Sequence, residues 1–147
     1  RLQHKLLPND GSVTDLFGFS LAMDGDTIVV GAPWDDDNGR DSGSAYVFTR
    51  DTDGTAWRQQ AKLLPDDGAA DDMFGYKVAV DGDSIVVGAR WDDDNGEDSG
   101  SAYVFSRDST GSTTWRQQAK LLPDDGAVND EFGRSVAIYG DTIVVGA

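Results

Sequence analysis

The sequence lacks cysteine and has a single histidine, His4, among its 147 residues. The missing cysteines exclude a disulfide framework and thiol chemistry. No apolar run approaches the roughly 20 residues that a membrane-spanning helix needs, so we expect no membrane insertion. Helix signals and a phosphate-binding loop are also missing. Because His4 is the sole imidazole and no nucleophile with an adjacent base stands out, we expect a protein that is not an enzyme.

Basic residues are also scarce, with 12 Lys and Arg against 27 Asp and Glu, which gives a net charge of −15. Nucleic acid and anionic membranes would repel such a chain, so neither is an expected partner. The charge favours cations or basic partners. Hydrophobic residues make up 38% of the sequence, and 18 glycines accompany them. This is the composition of a folded domain, not of a disordered acidic tail.

The sequence is internally repeated. The dipeptide Phe-Gly begins at Phe17, Phe74 and Phe132, and these positions are 57 and 58 residues apart. The dipeptide Gly-Ala recurs with the same spacing. The sequence therefore divides into two complete units and one partial unit, residues 1–57, 58–115 and 116–147. A period of this length is typical of a repeat architecture.

One unit predicts four strands, at 17–23, 27–32, 44–50 and 57–65. In the first, Phe17, Phe19, Leu21 and Met23 alternate with small or polar residues, which predicts one buried face. Asp24-Gly25 between apolar runs is a hairpin signal. The continuous β-branched run at 27–32 indicates burial on both faces. The Lys, Arg and Gln of 57–65 favour an outer, more hydrated strand.

Four antiparallel strands repeated every 57 or 58 residues are typical of β-propeller blades. The predicted fold is all-β. Since a propeller needs at least about four blades, the ring is incomplete within this chain. The sequence begins in a fourth strand and ends in a second strand, which predicts eleven strands. We expect either self-association, through the strand at Arg1 and the strand at 142–147, or the rest of a longer propeller chain.

The stretch FGFSLAMDGDTIVVGAP, from Phe17 to Pro33, resembles an FG-GAP repeat. The match recurs at 74–89, where Arg90 replaces the proline, and at 132–147. Similar repeats build the seven-bladed propeller of integrin α subunits and occur in tandem in secreted bacterial proteins, which the near-identical copies resemble more. The resemblance implies a secreted or cell-surface location, adhesion or binding of a protein or glycan ligand, and often calcium.

The calcium loop of that family resembles D-x-D-x-D-G and lies between the first and second strands. At that place this sequence has only Asp24-Gly25-Asp26, Asp81-Gly82-Asp83 and Gly140-Asp141. Two carboxylates on a tight hairpin do not surround a cation that takes six to eight oxygen ligands. The family's metal site is therefore not carried over, and a plain two-residue turn is the prediction here.

A second acidic segment follows the second strand. It reads WDDDNGRDSGSAYVF at 34–48 and returns at 91–105 with Glu97 in place of Arg40. Its oxygen-bearing side chains are of the type that calcium prefers, although their spacing does not match an EF-hand loop. Asp, Asn, Gly and Ser also dominate turns, so the two interpretations stay open. The candidate metal ligands are Asp35, Asp36, Asp37, Asn38 and Asp41, with Asp92, Asp93, Asp94, Asn95 and Asp98 in the second copy.

The four tryptophans fall into two pairs. Trp57 and Trp115 begin the fourth strands and are expected between adjacent blades. Trp34 and Trp91 flank the acidic segments, where a ring either stacks on a sugar or ligand cation or covers the blade end. The acidic stretch at 65–73 reads as a turn because Pro precedes Asp-Asp-Gly.

The functional expectation is a non-catalytic extracellular propeller module for adhesion or ligand binding, with calcium as the candidate cofactor. The alternative is a purely structural, self-assembling propeller fragment whose acidic segments are turns. A third expectation is an accessory domain of a larger secreted enzyme. Function has to be argued from a site, so the position of the acidic segments decides among them.

Overall fold

The fold is all-β, as predicted. The computed structural model describes residues 3–109 and 111–147, and these contain ten strands in three antiparallel sheets. Among those residues, no helix is long and apolar enough to cross a membrane. The strands are β1 (Ser20–Asp24), β2 (Thr27–Ala32), β3 (Ser44–Arg50), β4 (Trp57–Leu63), β5 (Phe74–Asp81), β6 (Ser84–Ala89), β7 (Ser101–Arg107), β8 (Trp115–Leu121), β9 (Ser135–Tyr139) and β10 (Thr142–Gly146).

The first two sheets are complete four-stranded blades with strand orders β1-β2-β3-β4 and β5-β6-β7-β8. In each blade a two-residue turn joins the first two strands, since Asp24 pairs with Thr27 and Asp81 pairs with Ser84. Gly25 has φ 53° there, a left-handed conformation that glycine adopts without strain. The third unit contributes only the pair β9-β10. The expected Asp-Gly turns are therefore present.

The predicted strand at the start of the sequence is absent. Residues 3–8 have no strand structure, and residues 1 and 2 lie outside the described part. In both complete blades the fourth strand forms its ladder with the third strand of its own blade. Among the described residues, no third strand pairs with residues 3–8, so their backbone groups do not form a ladder. The count of eleven strands is thus wrong by this one.

The first strand also begins later than predicted, at Ser20 instead of Phe17. Leu16 and Gly18 have φ values of 54° and 93°, which turn the chain before it enters the sheet. In the second copy β5 starts at Phe74, but its register shifts between Phe74 and Lys77. The Phe-Gly dipeptide therefore forms an irregular entry to each complete blade.

Each blade has two apolar faces, and consecutive blades stack one face on the other. We call the face that carries the Phe-Gly phenylalanine the leading face and the opposite one the trailing face. The main core joins the trailing face of the first blade to the leading face of the second. Its buried members are Val29, Ala45, Val47 and Leu63 from the first blade and Phe74, Val78, Ile85, Val87, Ala89, Tyr103 and Phe105 from the second.

The alternating residues of the first strand do not form the buried face that the sequence predicts. Phe19, Leu21 and Met23 are 49%, 69% and 62% exposed. Val78 takes the place of Leu21 in the second blade and is only 6% exposed, because the first blade covers it. The alternation therefore encodes the contact between neighbouring blades instead of the interior of a single sheet.

The Gly-Ala motif permits this stacking. A Cβ atom on Gly31 would overlap the carbonyl oxygen of Gly75, and one on Gly88 would overlap that of Gly133. Neither Gly31 nor Gly88 has a positive φ, so close approach of two backbones is the requirement here. Gly31 and Gly88 thus each receive the Phe-Gly glycine of the next unit, which explains why the two dipeptides share one period.

Candidate functional site

The acidic segment between β2 and β3 is a compact series of turns. The amide of Asp35 donates to Ala32, and the amide of Gly39 donates to Asp36. The carboxylate of Asp36 accepts the amide of Asp41 at 2.8 Å. Asp41 has φ 51°, which Asp tolerates better than most residues. These local bonds are the turn chemistry that Asp, Asn and Gly favour.

A lysine from β4 points into this turn. The ammonium of Lys62 lies 2.9 Å from Asp35, 2.7 Å from Asp37 and 2.9 Å from Asp10, measured to a carboxylate oxygen of each. The hydroxyl of Tyr46 donates to Asp35 at 2.9 Å. Asp35 is 3% exposed, so its charge is buried. A buried carboxylate requires a counter-charge and hydrogen-bond donors, and Lys62 and Tyr46 supply both.

The second blade repeats this cluster. Lys120 lies 2.8 Å from Asp67, 2.7 Å from Asp92 and 2.6 Å from Asp94. The hydroxyl of Tyr103 donates to Asp92 at 2.9 Å. Asp67 comes from the linker between the two blades, as Asp10 comes from the segment before the first blade. Each cluster therefore ties a blade to the linker that enters it.

Burial and ion pairing shift the protonation of these groups. Burial alone would lower the pKa of the Lys62 amine, but hydrogen bonds to Asp37, Asp10 and Asp35 outweigh it and raise the pKa. Burial raises the pKa of the Tyr46 phenol. The hydrogen bond from Lys62 holds the pKa of Asp10 below its ordinary value. The lysine is thus charged and the tyrosine neutral at physiological pH.

The same acidic segment also forms backbone hydrogen bonds with the linker that joins its blade to the next unit. The amides of Asp71, Met73 and Phe74 donate to the carbonyls of Arg40, Asp41 and Ser42 at 2.7, 3.1 and 3.0 Å. A short parallel bridge joins Gly43 to Phe74. We call this set of backbone bonds the clasp.

The clasp recurs at the next junction with the same register. The amides of Asn129, Glu131 and Phe132 donate to the carbonyls of Glu97, Asp98 and Ser99 at 2.9, 3.0 and 2.9 Å. Arg40 adds a paired side-chain contact to Asp71 in the first copy. That pair is exposed, and its counterparts in the second copy are Glu97 and Asn129, so the backbone bonds are the shared feature.

The ten candidate ligands form five pairs, and the two members of each pair have the same role in the two blades. Asp35 and Asp92 are the buried partners of the lysine and tyrosine, and Asp37 and Asp94 are exposed partners of the lysine. The side chains of Asp36 and Asp93 accept amides of their own turn, and the backbone carbonyls of Asp41 and Asp98 belong to the clasp. The side chains of Asn38 and Asn95 donate to the carbonyls of Pro65 and Pro123.

This arrangement does not suit calcium. Calcium requires six to eight oxygen ligands around it, whereas here an ammonium already lies between the carboxylates of Asp35 and Asp37. Within residues 3–109 and 111–147, no three His, Cys, Asp or Glu side chains are grouped to hold a metal ion. Calcium binding by these residues stays a prediction, to be tested by titration.

Sequence reasoning missed the two lysines and the two tyrosines of these clusters. Lys62 was assigned to a hydrated outer strand, yet its side chain is 14% exposed. The available signal was the shared period, because Lys62 and Tyr46 recur as Lys120 and Tyr103 beside recurring acidic segments. A spacing between an acidic turn and one lysine that recurs in both repeats indicates an ion pair at least as well as a metal site.

Three of the four tryptophans occupy three different environments. Trp115 lies between the blades as expected, with its indole N–H donating to Gln60 of the first blade at 2.8 Å. Trp91 is half-buried beneath the guanidinium of Arg90, 4.5 Å from the ring centroid. Trp34 has no such cover and is 41% exposed beside the first acidic segment.

The Asp-Gly hairpins at the other edge of the blades are linked as well. A carboxylate oxygen of Asp24 accepts the amide of Gly82 at 2.8 Å, and Asp81 likewise accepts the amide of Gly140. Each hairpin Asp therefore bonds to the hairpin of the next unit. The blades are joined at both edges, by the clasp at one and by this Asp–Gly bond at the other.

The repeated units of the structure correspond to what a comparison with known protein families finds. The model of the FG-GAP repeat matches residues 1–48, 57–105 and 115–147. The chain belongs to the FG-GAP repeat family. No curated protein matches the sequence. The family match and the stacked four-stranded sheets together identify the chain as an FG-GAP propeller segment, in which each match corresponds to one repeat.

Proposed function

We propose that this FG-GAP chain is a non-catalytic structural module of an extracellular propeller, in which the acidic segments hold consecutive blades together. The observation that supports this most strongly is the clasp, which has the same three amide-to-carbonyl bonds at both junctions. The three bonds keep their register although Arg40 changes to Glu97, so the clasp does not depend on the ion pair between Arg40 and Asp71.

The lysine clusters fit the same role. Each places a positive charge among carboxylates from the acidic segment and from the entering linker, such as Asp35 and Asp10 around Lys62. The ammonium offsets part of the repulsion among the three carboxylates that surround it. Since repeats of this family occur in extracellular and surface proteins, we assign the module to that location.

A second candidate function is adhesion or ligand binding at the edge that carries the acidic segments, assisted by calcium. The exposed indole of Trp34 favours it, because an exposed aromatic ring beside carboxylates can stack on a sugar or a cationic group. The exposed carboxylates of Asp36 and Asp93 lie on the same edge. In this case the ligand is a protein or a glycan.

Thermal unfolding in EDTA and across a calcium titration, with magnesium as the control cation, separates the two functions. The structural role predicts the same unfolding midpoint in all three conditions. A calcium site predicts a calcium-specific rise, about 2.7 kcal/mol of stability at a hundredfold excess over the dissociation constant. Such a rise, lost in a variant with Asp36→Asn and Asp93→Asn, would replace the structural proposal with the calcium-assisted one.

Binding of neutral oligosaccharides, measured by calorimetry, tests the Trp34 surface directly. Saturable binding that disappears in Trp34→Ala and persists in Trp91→Ala would support the second function. The pair is matched because both residues precede an identical Asp-Asp-Asp-Asn-Gly stretch, while Trp91 is covered by Arg90.

A further inference from the structure

The leading face of the first blade is uncovered only over its first strand, β1, which we call the inner strand of the blade. Its outer part is covered by the chain itself, because Leu6 packs against the buried cluster of Val30, Ala32, Tyr46 and Phe48. The amide of Asn9 donates to Gln59 at 2.8 Å. The segment 3–10 thus occupies the place that the end of β4 occupies against the second blade. What remains uncovered is the apolar side of β1, which carries Leu21 and Met23.

The third unit has the opposite surface uncovered. It consists of the pair β9-β10, and its trailing face points away from the second blade. Val144 is 63% exposed and Tyr139 is 86% exposed on that face. Val144 pairs with Ala137 across the two strands, just as Val29 pairs with Ala22 in the first blade. The unit therefore presents the inner half of a trailing face.

The chain shows how such surfaces fit each other. The side chain of Val78 on β5 joins the core that includes Val29 of β2, with Ala22 of β1 packed against it. Ser20 donates its hydroxyl to the carbonyl of Gly75 at 2.8 Å. Gly31 gives that carbonyl its space.

The third unit keeps both small residues of this contact, and of the two the glycine is also present at the second junction. Ser135 and Gly146 stand where Ser20 and Gly31 stand in the first blade, and they pair with each other across the strands in the same way. The second blade has Lys77 in the place of the serine. On the opposite side of the contact, Gly18 stands where Gly75 stands. The surface of the third unit is therefore built as a docking surface for a leading face.

We propose that the chain associates head to tail with a second copy of itself, with β1 of one copy packed on the trailing face of β9-β10 of the next. This deepens the structural role proposed above and rests on it. In this contact the uncovered strand β1 of one copy packs on β9 and β10 of the other copy. The outer part of the leading face is already covered by segment 3–10 of its own chain. The contact is heterologous, so it builds rings or open chains of copies.

Two features distinguish this contact from the junctions within the chain. Within the described residues the third unit has no acidic segment, so this contact lacks the clasp. Tyr139 replaces the hairpin Asp at positions 24 and 81, so the bond to the glycine amide of the next hairpin is missing too. Association is therefore concentration-dependent, and Tyr139→Asp, which restores the carboxylate opposite Gly25, strengthens it.

Multi-angle light scattering and sedimentation of the full chain, across a wide concentration range, test the proposal. The wild-type mass is expected to rise above the chain mass of 15.7 kDa with concentration. Leu21→Asp places a charge on the leading face, and Val144→Asp places one on the trailing face. Each variant alone should therefore stay at the monomer mass. Val13→Asp is the matched control, since Val13 is fully exposed on the linker outside both faces, and it associates like the wild type.

An equimolar mixture of the Leu21→Asp and Val144→Asp variants gives the sharpest result. Each retains one intact face, so the mixture forms a dimer of twice the chain mass and nothing larger. A wild-type mass that stays at 15.7 kDa at every concentration, with a folded circular dichroism spectrum, would overturn the proposal. So would single variants that still associate, or a mixture that does not pair. The calcium titration bears on the acidic segments and the mass measurements on the two sheet faces, so a failure of the structural role and a failure of the association are distinguished by separate experiments.

Discussion

Replacing Lys62 by Met removes the positive charge from the first carboxylate cluster and keeps the length of the side chain. Asp35 then remains buried with Tyr46 as its side-chain donor, since it is 3% exposed. Breaking a buried ion pair by removing one partner costs about 3–5 kcal/mol. Asp10 and Asp37 are about half exposed, so each adds under about 1 kcal/mol. We expect a loss of about 3 kcal/mol in the free energy of unfolding.

Urea unfolding followed by circular dichroism measures this loss. Lys120→Met is expected to cost the same, because its three carboxylate distances of 2.8, 2.7 and 2.6 Å reproduce those of Lys62. The exposed Arg58 lies on the same strand as Lys62, and Arg58→Met controls for the general loss of a positive charge from an acidic chain. Its expected effect is within about 0.5 kcal/mol.

The double variant Lys62→Met with Asp35→Asn supplies the decisive comparison. It removes the buried charge together with its counter-charge, so it should recover much of the stability that the single variant loses. The loss in the single variant should also change little with salt, because a buried pair is screened weakly. A loss no larger than that of Arg58→Met, or no recovery in the double variant, would refute the assignment of Lys62 as the counter-charge of the turn.

Two further predictions concern the blade junction and its pH dependence. Gly31→Ala should destabilise the chain by several kcal/mol in thermal unfolding, because its methyl group overlaps the backbone carbonyl of Gly75. Gly146→Ala should cost far less, because its methyl group overlaps only the side-chain hydroxyl of Ser135, which can rotate away. Burial raises the pKa of Asp72 from 3.8 to about 6, so the folded state binds this proton more tightly and stability falls as pH rises from about 4 to 6. In this pH range the free energy of unfolding of the wild type should fall by about 3 kcal/mol because of Asp72. Asp72→Asn should remove that fall, and Asp130→Asn, at the exposed counterpart position, should not. Equal profiles of stability against pH for Asp72→Asn and wild type would contradict this.

The blade itself could be predicted from the sequence because each strand carries its own local signal. The β-branched run of β2 and the Asp-Gly hairpin placed the strands within a few residues. The depth of burial could not be predicted, because Leu21 and Val78 have equivalent sequence positions and opposite exposures. Their difference depends on whether a neighbouring blade covers them, which a local pattern does not contain.

The acidic segments could be recognised as special, but their role depended on residues distant in sequence. Lys62 lies 27 residues after Asp35, and the linker that the first segment clasps begins after Lys62. Composition alone favours a cation, and the cation found here is an ammonium from the neighbouring strand. The clasp consists of backbone bonds, whose register no side-chain pattern reports.

Amide hydrogen exchange in EDTA tests the central claim most directly, since the clasp is a set of backbone hydrogen bonds that join consecutive units. We predict that the amides of Met73, Phe74, Glu131 and Phe132 exchange as slowly as amides in the central strands of the blades, and that added calcium leaves their rates unchanged. Exchange of these amides at the rate of an unstructured chain in EDTA, with protection appearing only when calcium is added, would contradict the account.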